Sequence, residues 1–348
     1  MPTMARERIV TAERLDPDEE RLNWSLRPTQ LDDYVGQPQL VERLRIAIQA
    51  AKQRGEPLEH ILLHGPPGLG KTTLAHVIGH EMGGQVHLTS GPALTRAGDL
   101  VGPLTKLKRG DILFVDEIHR LPAAVEEYIY PAMEDFRIDV SVDSGMHARS
   151  ITLNVEPFCL IGATTRAGLV SGPLRSRFGM THHLEFYSET DLHTIAHRSA
   201  SLLHMQCDCE DTLALPAKRS RGTPRIVNRL LRRIRDYAQV HNNGIVNPDI
   251  VAEALTLEGI DALGLDPLDR KYLKVLGTTF QGGPAGIEAI AATMSEESDT
   301  LEEVVEPYLL QCGYLTRTRR GRQLTQRGAA HVGITLASTS SEAPLFEE

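Results

Sequence analysis

The stretch Gly65-Pro66-Pro67-Gly68-Leu69-Gly70-Lys71-Thr72-Thr73 reads G-x-x-x-x-G-K-T, and no other feature restricts the fold as much. Such a loop holds phosphate only when a buried strand leads into it and a helix leads out. The glycines let backbone N–H groups turn inward, and the helix start adds its positive end. Both neighbours are legible: Ile61, Leu62 and Leu63 precede the loop, and a helical pattern covers 72–82. Gly68 and Gly70 shape the turn, Lys71 brings a cation to the β/γ-phosphates, and the Thr72 hydroxyl can ligate Mg²⁺, with Thr73 beside it. The cofactors implied are ATP and Mg.

Four more apolar runs, 86–89, 112–115, 158–163 and 182–186, alternate with helical patterns such as 123–133. That alternation predicts a parallel α/β sheet buried on both faces. Ile112-Leu113-Phe114-Val115 ends in Asp116-Glu117, at the strand end where ligands bind in such sheets. Asp116 suits the metal, and Glu117 suits the general base that polarises the attacking water. A further strand ends in Thr164-Thr165-Arg166, where a hydroxyl could reach the γ-phosphate or orient water. Arg175 and Arg177 follow, and an arginine can stabilise charge on a transferring phosphoryl group. Thr223-Pro224-Arg225 opens a basic amphipathic helix, with Thr223 expected as its side-chain N-cap.

The strand alternation is interrupted by two period-2 segments, 136–142 and 150–155, around Asp143-Ser144-Gly145. They predict a protruding hairpin. From about Thr190 the strands stop and a small helical domain is expected. After Gly259, helices at 269–277, 286–292 and 301–310 precede a strand-turn-strand around Arg319-Arg320-Gly321-Arg322, a winged-helix pattern.

With 348 residues the chain is long enough for two or three domains. The 46 acids against 37 bases give a net charge of −9, so nucleic acid would have to meet a local patch. Residues 314–328 provide one: Arg317, Arg319, Arg320, Arg322 and Arg327 with no acid among them. Arginines on a wing suit phosphate contact and carry little sequence information. No apolar run reaches a membrane-spanning length and the N-terminus lacks a signal-peptide core. The four cysteines, Cys207 and Cys209 near His204 included, fit neither a disulfide framework nor a usual zinc spacing. A cytoplasmic protein with no membrane partner is expected.

Taken in order, these elements resemble the AAA+ ATPase family. Further stretches narrow the resemblance to the branch of that family that drives bacterial Holliday-junction branch migration. They include Val35-Gly36-Gln37-Pro38-Gln39, Asp116 to Leu121, Tyr130 to Asp135, Leu174 to Gly179, Gly282-Gly283-Pro284 and Glu306-Pro307-Tyr308-Leu309. The resemblance runs from about residue 22 to 333. It implies an AAA+ P-loop domain over 24–187 with the hairpin inserted at 136–155. A helical lid at 188–258 and a winged-helix domain at 259–334 would follow, with a flexible arm at 1–23 and a disordered tail at 335–348.

The resemblance also implies roles. Leu26, Arg27 and Tyr187 would line the nucleotide, with Glu134, Asp135 and Phe136 close to it. Thr164 would be sensor 1 and Arg225 sensor 2. Arg177 would be an arginine finger acting in trans, which implies a homo-hexamer. The hairpin would dock the junction-binding protein RuvA, with Val140, Val142 and Met146 as candidates, and the resolvase RuvC is a further possible partner. Positions matching Arg317 and Arg322 touch duplex DNA in such proteins, with Arg320 beside them. A third position, often basic, is Ser298 here. The alternatives are a clamp-loader-like switch and a DNA-binding regulator with a degenerate ATPase. Clamp loaders usually lack a winged helix and carry a serine-arginine-cysteine finger, where this chain has Ser176-Arg177-Phe178.

Overall fold

The computed structural model describes residues 24–141 and 150–336. Helix α1 (Pro38–Arg54) buries Leu40, Leu44, Ile48 and Ala51, one stripe at helical spacing, and ends at Gly55 in the left-handed region. Strand β1 (Ile61–His64) leads through the glycine-rich loop into α2 (Lys71–Met82). Next come β2 (Val86–Ser90), α3 (Ala97–Thr105), β3 (Ile112–Asp116) and α4 (Ala123–Glu134). Strands β4 (Arg137–Ser141) and β5 (Ser150–Asn154) pair antiparallel as the expected hairpin. Then follow β6 (Cys159–Thr164), the short α5 (Gly172–Arg175) and β7 (Met180–His183).

The five strands of the main sheet run parallel in the order β2-β3-β6-β1-β7. Successive residues of each strand feed opposite faces. Ile61 and Leu63 join one core and Leu62 the other; Ile112 and Phe114 divide from Leu113 and Val115 in the same way. Both faces are therefore dry over the three inner strands β1, β3 and β6, which is why those read as unbroken apolar runs. The outer strands β2 and β7 are partly exposed, contrary to a sheet buried on both faces throughout. The last strand starts two residues earlier than the apolar run at 182–186. Its register is set by β1: Met180 N–H donates to His60 O, and Ile61 pairs with Met180. After Leu184, bonded to His64 O, the chain leaves the sheet.

Helices α6 (Glu189–Leu202), α7 (Ala214–Lys218), α8 (Pro224–His241) and α9 (Pro248–Leu257) build the lid. Strands do not stop at Thr190, contrary to the pattern-based expectation. The two-residue β8 (Gln206–Cys207) and β9 (Ile245–Val246) pair in parallel between these helices, and two-residue pairs leave no usable periodicity in a sequence. Thr223 does precede α8, but its hydroxyl donates to Ser220 O and makes no cap bond to the helix. The turn before it takes the side chain instead.

The C-terminal part packs α10 (Pro267–Thr278), α11 (Ile287–Met294), α12 (Ser298–Thr300) and α13 (Glu306–Gln311) against the wing strands β10 (Leu315–Thr318) and β11 (Gly321–Leu324), with α14 (Gln326–His331) after them. The single helix expected at 301–310 is divided by a π-helical turn, Leu301–Val305, just ahead of Pro307. Proline has no N–H for the i→i−4 ladder, so the backbone changes its repeat there. Lid and wing domain meet at Arg221, which is buried against Asp269 at 2.9 Å and donates to Val304 O at 3.0 Å. Removing one partner from such a buried pair costs about 3–5 kcal/mol. The fold is thus a P-loop domain with a parallel sheet, a helical lid and a winged-helix domain.

Candidate nucleotide site and wing

The P-loop sits at the C-terminal end of β1 with Gly65, Gly68 and Gly70 all at positive φ. This backbone curls its N–H groups into an anion-sized nest. A Cβ on Gly65 would lie 2.6 Å from Leu184 O, so the loop is pressed onto the sheet. Lys71 opens α2 and is only 8% exposed. Its ammonium donates to Gly65 O at 2.7 Å and Pro66 O at 3.0 Å. Burial lowers its pKa, and the charges of Glu117 and Asp116 oppose that shift. Thr72 and Thr73 follow in the first turn of α2.

Two tyrosines brace the loop from below. Tyr187 donates to Leu69 O at 3.2 Å, its hydroxyl lies 3.0 Å from that of Tyr34, and burial raises both phenols, Tyr34 to about 12. Gly36 makes room: with φ +82, its Cβ would stand 2.5 Å from the Tyr187 ring. Trp24 meets His76 of α2 edge-on at 4.3 Å, and the Arg27 guanidinium stacks over Trp24 at 4.5 Å. Leu26 is buried, its carbonyl held by Arg198 at 2.7 Å. Burial, reinforced by the Arg27 charge, drops His76 to about 4. Residues 24–27 are thus tied to the P-loop helix. From the lid, Arg225 N–H reaches Gly68 O at 3.4 Å, and Arg225 lines a cleft with Pro66, Gly68, Arg229 and Glu303.

Asp116 ends β3 and Glu117 follows it directly. Burial and the Glu117 charge raise the Asp116 pKa against the pull of Lys71. A divalent cation at this pair would relieve that repulsion, so the donor set fits Mg²⁺. Glu117 is left-handed, φ 47, a strained setting for a residue with a Cβ and one found at functional sites. Its carboxylate accepts from Thr165 Oγ1 at 3.3 Å and lies 3.2 Å from His119 Nδ1. His119 Nδ1 is also 2.9 Å from Thr164 Oγ1. Burial lowers the His119 pKa. A carboxylate can only accept, so the Nδ1–H tautomer is the one that satisfies this contact. Thr164, fully buried, accepts Arg166 N–H at 2.9 Å.

Arg177 and Glu134 lie elsewhere. They pair at 3.1 Å, and Arg177 stacks on Tyr130 at 4.1 Å. Met133 O contacts His60 and Met180 N–H bonds His60 O, just before β1 begins. This is the start of the strands, and the P-loop is at their end. The four residues of β1 put about 13 Å between the two. Asp135, paired with Arg137, and Phe136, edge-on to Phe158, belong to the same end. Of the sequence-predicted nucleotide residues, then, the fold gathers Leu26, Arg27, the P-loop, Asp116, Glu117, Thr164, Tyr187 and Arg225, and sets Glu134, Asp135, Phe136 and Arg177 apart.

On the wing, Arg317 faces Arg322 across β10–β11. Both turn to Glu306, which is fully buried: Arg317 Nε donates at 2.7 Å and Arg322 Nε at 2.9 Å. Arg322 also pairs with Glu302. The Arg317 side chain stays 46% exposed and that of Arg322 only 14%; Arg320 is exposed at the turn.

Three family models cover the chain. Residues 26–184 match the Holliday junction DNA helicase RuvB P-loop domain. Residues 187–261 match the RuvB AAA lid domain and 262–333 the RuvB C-terminal winged helix domain. The chain belongs to the RuvB family. Among RuvB relatives, the Holliday junction branch migration complex subunit RuvB of Desulfosudis oleivorans is 58% identical, over 89% of this chain and 90% of that protein. The subunit of the same name from Kosmotoga olearia is 53% identical over 94% and 95%. The solved Thermotoga maritima RuvB Holliday junction branch migration motor superposes with a TM-score of 0.82. It is 48% identical and covers 90% of this chain and 100% of that one. RuvB-family proteins are ATP hydrolases, and the intact P-loop domain places this chain among them.

Three participants escaped the sequence reading. Tyr34 carries no motif of its own, and His119 lies within the Asp116 to Leu121 stretch with nothing in it to mark a role. The acids of 299–306 do leave a signal, because Asp299, Glu302, Glu303 and Glu306 fall at i, i+3, i+4 and i+7, one helix face. Val142 and Met146 of the hairpin lie outside the described residues. Val140 pairs with Ile151, which is half exposed.

Proposed function

We propose that this chain is one subunit of a hexameric ring that hydrolyses ATP to drive duplex DNA through Holliday junctions. The observation that carries it is the separation of Arg177 from its own P-loop by a strand length. An arginine side chain reaches about half that far, so the catalytic set closes only when a neighbouring copy brings its Arg177. Glu134, Asp135 and Phe136 share that end and would face the neighbour's nucleotide in the same way. The reading divides the chain into an ATPase domain to 187, a lid to 258 and a wing domain to 334.

Within one site the division of labour follows the contacts. The P-loop amides and Lys71 hold the phosphates. Leu26, Arg27 and Tyr187 flank the P-loop helix, where the base would lie. Thr72 and Asp116 would hold Mg²⁺, which supplies charge neutralisation on the phosphates. Glu117 takes the proton of the attacking water, oriented by Thr165 and His119. Thr164 reports through His119, and Arg225 closes the lid side. In trans, Arg177 meets the charge that develops on the transferring group.

Arg317, Arg320 and Arg322 would grip phosphates, which suits sliding because such contacts ignore sequence. The hairpin supports docking of RuvA, since Ile151 keeps an apolar side chain in solvent; RuvC would join through the assembled junction complex. A clamp-loader-like switch would have no use for the arginine wing. The test is the salt dependence of duplex binding. Replacing both Arg317 and Arg322 by alanine is expected to flatten the slope of log K against log[salt] by about 1.8, two released counterions' worth. An unchanged slope would remove the wing from the DNA interface.

A further inference from the structure

Between the ATP site and the wing lies a continuous set of ion pairs. Arg166 directly follows Thr165, whose hydroxyl donates to Glu117, and its own N–H donates to Thr164. Its guanidinium reaches across to the wing domain, with Asp299 at 2.8 Å, Glu303 at 2.9 Å and Glu302 at 3.4 Å. Arg120, three residues after Glu117, adds a 3.5 Å contact to Asp299. From the other side, Arg322 pairs with Glu302 and Glu306, and Arg317 with Glu306. Glu306 also accepts the Tyr272 hydroxyl at 2.7 Å. Glu302 is therefore shared: one oxygen faces Arg166, the other Arg322.

We infer that Arg166 and Glu302 are positioning residues that couple the ATP site to the DNA grip of the wing. The inference rests on the reading that Arg317 and Arg322 contact phosphates. The carboxylates and the DNA compete for the same two wing arginines. When Arg166 holds Glu302, less negative charge remains on Arg322, and Arg322 is freer to meet phosphate. When the segment carrying Thr164 and Thr165 shifts with the γ-phosphate, Arg166 moves with it. Glu302 then turns wholly to Arg322 and the grip loosens. The coupling is reciprocal: phosphate on Arg322 releases Glu302 to Arg166, which steadies Thr165 against Glu117 and favours hydrolysis. A motor needs this alternation of grip with nucleotide state, and the shared carboxylate provides it without a large movement.

The experiment uses the full chain, a fluorescent duplex followed by anisotropy, and ATPase rates with and without DNA. Glu302→Gln keeps the shape but removes the competing charge, so DNA affinity is expected to rise about fivefold, within the usual range of coupling between sites. Arg166→Ala leaves the acids uncompensated, so affinity is expected to fall by a similar factor. Asp299→Asn, which touches neither wing arginine, is expected to lower the ratio of DNA-stimulated to DNA-free ATPase with little change in the DNA-free rate. A purely structural role would weaken DNA binding in all three variants and shift their melting temperatures together. Unchanged or weaker DNA binding in Glu302→Gln overturns the coupling. The Arg317→Ala/Arg322→Ala protein separates the two readings. If it binds DNA normally, the wing assignment fails and the coupling with it. If it loses DNA while Glu302→Gln and Arg166→Ala behave as wild type, the coupling alone fails.

Discussion

Arg177→Ala is expected to slow ATP hydrolysis by the assembled ring about 10³-fold or more, the loss seen when a finger arginine is removed from phosphoryl transfer. Nucleotide affinity should change little. The guanidinium stands at the strand-start end of the sheet, held by Glu134, Tyr130 and Pro173 O, and it is too far from its own P-loop to bind that nucleotide. The sharper form of the prediction is a mixing experiment. Arg177→Ala supplies an intact P-loop and Glu117, whereas Glu117→Gln supplies an intact Arg177. Neither protein turns over alone, but mixed rings contain interfaces with both wild-type halves. Partial recovery of activity on mixing is expected. No recovery at any ratio, in rings shown to be mixed, would place Arg177 in the site of its own chain or outside catalysis.

Glu117→Gln has the second large effect. The substitution preserves size and the contact from Thr165, but a neutral amide cannot accept the proton of the attacking water. A fall in kcat of about 10²–10⁴-fold is expected, the usual span for a lost general base, with the nucleotide dissociation constant nearly unchanged. Lys71→Ala should behave differently, since it removes a charge that the phosphates meet in the ground state as well. Single-turnover hydrolysis beside equilibrium binding of a fluorescent ATP analogue separates the two. If Glu117→Gln lost binding and turnover in proportion, Glu117 would be a ligand of the nucleotide or its metal, and the base would have to be sought elsewhere.

Much of this site is legible in the sequence because its chemistry is local. A phosphate nest needs glycines within a few residues of each other, and Asp116-Glu117 must follow a buried strand. Those constraints survive in one dimension, as do the strands that are apolar on both faces. The distant contacts leave no such mark. The strand read at 182–186 begins at Met180 because β1 dictates its register. The pair β8–β9 joins two residues to two others far along the chain. The Thr223 hydroxyl turns back to Ser220, a choice made by the preceding turn. Most consequential are the wing arginines. Residues 314–328 contain no acid, so the patch reads as bare positive charge, yet Glu302 and Glu306 arrive from another helix to hold it. A basic stretch shows where phosphate could bind; the charges folded against it decide how tightly.

The central claim is that ATP turnover moves a junction. The most direct measurement is branch migration of a synthetic four-way junction with homologous arms, with ATP, in the presence and absence of the cognate RuvA, and with Lys71→Ala alongside. The account predicts conversion to duplex products by the wild-type chain, faster with RuvA and absent with Lys71→Ala. ATP hydrolysis without any movement of the junction, under either partner condition, would contradict it and return the chain to the switch-type ATPases.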